Sequence, residues 1–123
     1  MTLPTDDIVA IQQLVARYNH AIDGGDAEGW ANCFTAEASF QISGREPTVG
    51  REALAEIVRR RADGSRHVTT NMLIEGDGGT ATMRAYLTVL RERAVSVTGS
   101  YTDRLVKVDG RWLFEQRLFT ADE

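Results

Sequence analysis

Residues 66–91 read RHVTTNMLIEGDGGTATMRAYLTVLR, and the fold class turns on this stretch. Gly76-Asp77-Gly78-Gly79 at its centre is a strong turn signal. Beyond the turn, Met83, Ala85, Leu87 and Val89 fall on one face, with Tyr86 and Leu90 on the other. That alternation is the period of a strand. Before the turn, His67, Thr69 and Asn71 share a face, and Val68, Met72 and Ile74 take the opposite one. The stretch therefore predicts two long paired strands, Arg66–Glu75 and Thr80–Arg91. A third strand follows over Ala94–Val108, with Gly99 as a bulge or bend. Asp109-Gly110 is a second hairpin turn, and Arg111–Thr120 is the last strand.

Upstream the pattern changes to the helical period. Ile8, Ile11, Leu14, Val15, Tyr18 and Ile22 recur at spacings of three and four until Gly24-Gly25. Thr5 is placed to cap this helix, with Asp6 and Asp7 at the positive end of its dipole. Asp26 can cap a short second helix holding Trp30, Cys33 and Phe34. Glu37–Ser43 reads as a strand, Gly44 and Pro47 as a loop, and Arg51–Ala62 as a third helix ended by Asp63-Gly64. Helix, helix, strand, helix and then an antiparallel meander is an α+β order, with helices on one face of a curved sheet.

At 123 residues the chain is expected to form a single domain over 1–123 with its own core. Hydrophobic residues are 42% and charged residues 26%, a balance that argues against disorder. Fourteen Lys and Arg against eighteen Asp and Glu leave a net charge of −4. An acidic chain without a basic stripe is a poor partner for nucleic acid. No apolar run approaches the ~20 residues that span a bilayer, so no membrane partner is expected. Residues 1–7 lack the basic and apolar regions of a secretory signal, which points to the cytoplasm. One cysteine and two histidines exclude a disulfide framework and make a first-row metal site hard to assemble; no metal or organic cofactor is expected.

Several residues could carry chemistry. Asp23 closes the first helix, where the dipole disfavours a carboxylate; it is either a turn-former beside glycines or a functional acid. His67 can move protons near neutral pH if a carboxylate fixes its tautomer; otherwise it faces solvent with Thr69 and Asn71. Tyr101 could donate to a substrate oxygen or simply pack across strands. Tyr18, on the apolar stripe, can put its hydroxyl into a cavity that the stripe lines. Arg84 and Arg117 are rim ion-pair partners or cations for an anionic group. His20 reads as solvated and Cys33 as a small buried hydrophobe.

The runs Arg17-Tyr18, Asp23-Gly24-Gly25-Asp26, Trp30-Ala31 and Phe34-Thr35 resemble the opening of the snoaL-like branch of the nuclear-transport-factor-two-like superfamily. Residues 66–71, 99–103 and 109–117 continue the resemblance, which covers about Asp6 to Phe119. It implies a cone-shaped, strongly bent antiparallel sheet around a pocket, closed by three helices, the cystatin-like α+β barrel. Relatives of this kind include polyketide cyclases, scytalone dehydratase, ketosteroid isomerase and hexachlorocyclohexane dehydrochlorinase, along with non-catalytic binders and assembly subunits. Fold alone therefore leaves function open.

In the dehydratase-like and dehydrochlorinase-like relatives, an acid ending the first helix pairs with a histidine on the strand after the third. By that resemblance Asp23 and His67 correspond to the pair. The expectation is a cofactor-independent lyase or isomerase, with His67 abstracting a proton from carbon in a small hydrophobic molecule. Tyr18, Asn71 and Tyr101 would be oxygen donors, Trp30, Phe40 and Phe119 apolar wall, and Arg84 and Arg117 cations at the site. The alternatives are a small-molecule binder with the same pocket and an assembly subunit. Apolar residues on both faces of the long strands predict a homo-oligomer, a dimer above all.

Overall fold

The computed structural model describes residues 2–61 and 64–123. Helix α1 (Thr5–Asp23) opens on Pro4, whose carbonyl accepts from the backbone N–H of Asp7 and Ile8. Thr5 is the first helical residue rather than the cap, and no side chain caps this end. Asp7 is buried: its Oδ1 accepts from Trp112 Nε1 and from Lys107 Nζ, each at 3.0 Å. Helix α2 (Ala27–Ala31) is capped by Asp26, whose Oδ1 accepts from the Gly29 N–H at 2.9 Å. A Cβ at Gly29 would collide with that carboxylate, so the cap requires glycine there.

Strand β1 (Phe34–Ile42) starts earlier than the sequence suggests. The apolar spacing of Trp30 and Phe34 mimics a helix, but Phe34 already belongs to the sheet, with its carbonyl held by the Arg51 guanidinium at 2.8 and 3.0 Å. A two-residue strand, β2 (Thr48–Val49), was hidden in the loop. Helix α3 (Arg51–Arg59) is shorter than the expected Arg51–Ala62: Arg60 is its C-cap and Arg61 is already outside the helix, while Ala62 and Asp63 lie outside the described residues. Strands β3 (Arg66–Gly76), β4 (Thr80–Arg91), β5 (Ala94–Val108) and β6 (Arg111–Ala121) form the meander.

The sheet runs β2-β1-β6-β5-β4-β3 and curls without closing. It is not wholly antiparallel, because β1 runs parallel to β6, with Phe40 opposite Arg117. The connection from β1 back to the meander passes through β2 and α3, and α1 lies against β3 and β6. Inside the curl, Tyr18, Trp30, Phe34 and Phe114 pack with ring centroids 4.9–5.9 Å apart. Gly99 is not a bulge: its Cβ would overlap the Thr120 carbonyl and the Phe119 ring, so it permits close approach of β6.

Candidate functional site

The end of α1 meets the start of β3. His67 Nδ1 lies 2.6 Å from Asp23 Oδ1, and the His67 backbone N–H donates to both carboxylate oxygens at 3.2 and 3.0 Å. Asp23 thus fixes the strand start and the imidazole together. Its side chain is 19% exposed and that of His67 7%. A hydrogen on Nδ1, donated to the carboxylate, leaves the lone pair on Nε2. The carboxylate at the negative end of a helix dipole gains two donors in compensation, the His67 backbone N–H shared between its oxygens and the ring Nδ1–H. Beside this pair, Asn19 Nδ2 donates to Thr69 Oγ1 at 3.1 Å, tying α1 to β3 again.

His67 stands between two spaces. Behind it, Asn19, His20, Asp23 and Thr69 line an open cleft between α1 and β3. In front lies a cavity of about 200 Å³ within the curl of the sheet. Tyr18, Trp30, Phe40, Tyr101 and Phe119 line this cavity together with His67, so the structure gathers six of the residues singled out in the sequence. Ile22, Ile57, Leu87 and Val89 complete an apolar wall. Trp30 Nε1 is buried in the wall without a hydrogen-bond partner.

Among the polar groups of the cavity is a pair of phenols, Tyr18 and Tyr101. Burial holds Tyr18 well above its ordinary pKa and raises Tyr101 as well, so both stay protonated donors. The two phenols interact, so that each affects the ionisation of the other. Arg117 lies behind them, its Cζ 3.3 Å from the Tyr101 ring centroid and 4.5 Å from that of Tyr18. Its Nε is 3.0 Å from Asp103 Oδ1, and both side chains are fully buried. Burial pushes Asp103 up to about 6, against the opposing pull of Arg117.

Three expected positions differ. Arg117 does not line the cavity; it sits beneath the aromatic floor. Asn71 is exposed, because β3 carries a bulge between Thr70 and Leu73 and Asn71 takes a left-handed φ of 55° there. The bulge reverses the alternation, so Met72 and Ile74 join His67 and Thr69 on the inner side and Asn71 turns out. Arg84 is exposed on the outer face, where it lines a groove with Leu73, Tyr86 and Ser100. Reasoning from sequence missed Arg61, Arg91 and Ser96, which also line the cavity. For Arg91 a signal existed: it continues the odd-numbered inner row of β4 from Leu87 and Val89. Cys33 is buried as expected, and burial lifts its thiol to about 11. Among the described residues, no three His, Cys, Asp or Glu side chains converge as a metal site, and no helix is long and apolar enough to cross a membrane.

The sequence pattern of the SnoaL-like domain matches residues 4–118. The chain belongs to the SnoaL-like family. This family includes cyclases and dehydratases. Among solved structures, the SnoaL-like chain is similar to Rv3472, a protein of unknown function from Mycobacterium tuberculosis. Identity there is 39% and the TM-score 0.90, covering 95% of this chain and 72% of that one. A Catenulispora acidiphila protein in complex with S-DNPA is 31% identical with a TM-score of 0.85, covering 97% and 96%. A proposed scytalone dehydratase from Novosphingobium aromaticivorans, at 21% identity and TM-score 0.84, covers 95% and 85% and shares the fold. No curated protein matches this SnoaL-like sequence.

Proposed function

We propose that this protein is a cofactor-independent lyase or isomerase that removes a proton from carbon in a small hydrophobic molecule. The observation that carries the reading is the 2.6 Å contact between His67 Nδ1 and Asp23, on a histidine that also walls an apolar cavity. His67 Nε2 takes the proton. Asp23 holds the tautomer and stabilises the imidazolium, as acids do in other acid–histidine pairs. Tyr101, a protonated phenol on the cavity wall, donates to the oxygen where negative charge develops. His67 Nε2 then returns the proton, to another carbon of the same molecule in an isomerisation or to the leaving group in an elimination. A cavity near 200 Å³ is below the roughly 300–1,000 Å³ usual for ligand sites, so the substrate is small. The ligand complex of the 31%-identical Catenulispora acidiphila protein supports a small-molecule site in this family.

The test is kinetic, on small cyclic ketones offered as substrates. His67→Ala loses about 10²–10⁴-fold in kcat, the usual worth of a positioned base, while KM changes little. Asp23→Asn loses less, because it keeps the shape and sheds only the charge. If His67→Ala melts like the parent and turns over like it, the dyad is structural and the protein is a binder with the same pocket.

A further inference from the structure

Arg117 and Asp103 are the charges that the proton transfer leaves unused. They oppose each other across β5 and β6, one inward row deeper than the opposed pair Tyr101 and Phe119. Both side chains are fully buried. Their contact at 3.0 Å is out of line for a hydrogen bond, and none of the three guanidinium nitrogens has a hydrogen-bond partner. The guanidinium leans away from Asp103's row, over the Tyr101 ring at 3.3 Å, with Tyr18 and Phe114 each at 4.5 Å.

We propose that Arg117 turns the floor of the cavity into an anion-stabilising site, so that the ligand is a ring compound whose oxygen carries or acquires negative charge at Tyr101. Arg117 is a positioning residue here, acting through the phenols and not by touching the ligand. The inference deepens the proposed proton abstraction and rests on its placement of the ligand in this cavity. Three considerations carry it. A buried charge is little screened by water or salt, so its field at the adjacent phenol is opposed chiefly by Asp103. The cation acts on the phenols more than its counter-ion does: at both Tyr18 and Tyr101 the downward pull of Arg117 exceeds the upward push of Asp103. A purely structural role is also poorly served by this pair, since well-packed apolar side chains replace buried ion pairs at little or no loss of stability. An oxygen that gains negative charge as His67 takes a proton would find a preorganised donor backed by a fixed cation.

The test uses two probes of like shape, 4-nitrophenolate and 4-nitroanisole, titrated at one pH at which the free phenol is ionised. The parent binds the phenolate at least about tenfold more tightly than the ether, the scale of a charge-assisted hydrogen bond. The double variant Arg117→Met with Asp103→Leu keeps an apolar core and loses that preference. Arg117→Lys retains part of it. Should the double variant fail to fold, Tyr101→Phe removes the donor alone and must lower the preference by itself. The readout is binding and not turnover, which separates this claim from the kinetic test. The inference is overturned if the parent binds neither probe or shows no preference. It is also overturned if the double variant or Tyr101→Phe discriminates as the parent does.

Discussion

Asp103 and Asp7 are two buried acids whose environments push them in opposite directions. Asp7 is held below the usual carboxylate value of 3.8, first by the Trp112 indole N–H and then by Lys107. Its contribution to stability is present above that value and is lost as pH falls through the lower folded value. Asp7→Asn should therefore melt below the parent at neutral pH, with the gap closing in acid; a gap that persists undiminished at low pH contradicts this. Asp103, raised by burial from 3.8 to about 6, binds its proton more tightly folded than unfolded. Stability from this group falls as pH rises between those values. At neutral pH Asp103→Asn alone leaves Arg117 buried without its counter-charge and should cost about 3–5 kcal/mol in denaturant unfolding. The Asp23–His67 contact was legible only through the family resemblance, because 44 residues separate the two and nothing local joins them. Arg84 was misjudged although the sequence held the answer: it alternates with Met83 and Ala85 and so turns outward with Tyr86.

Strands and turns were the plainest part of the sequence. The bounds of β4 and β5 fall where the alternation and the flanking turns put them. What a strict period of two could not reveal is the single extra residue at Asn71, which carries no glycine or proline to mark it. Nor could it reveal the parallel partnership of β1 and β6, because pairing partners distant in sequence leave no local trace. The turn between β4 and β5 holds a further consequence. Glu92 and Arg93 both adopt positive φ, 53° and 68°, the form that asparagine and glycine accept with least strain. Left-handed backbone costs an L-residue roughly 1–2 kcal/mol, partly offset by the entropy that glycine loses. Arg93→Gly should raise the stability of the fold by up to about 1 kcal/mol, read from the thermal midpoint; a lowered midpoint would show that the Arg93 side chain matters more than its backbone.

The whole molecule has an inner and an outer sheet face with different fates. Helices and the cavity occupy the inner one. The outer one leaves Val68, Leu73 and Tyr86 at 40%, 58% and 58% exposure on adjacent strands. Apolar area of this kind on a sheet face favours association with a second copy. We expect a dimer, read as twice the chain mass by light scattering at micromolar concentration, and Leu73→Glu with Tyr86→Lys should return it to a monomer. A monomeric parent would count against this. The central claim is that His67 draws a proton from carbon inside the cavity. Its most direct measurement is deuterium incorporation from D₂O at the α-carbon of a small bicyclic ketone such as 2-tetralone, followed by NMR with catalytic amounts of protein. The parent should accelerate exchange over buffer and His67→Ala, folded to the same thermal midpoint, should not; equal exchange by the two proteins would contradict the account.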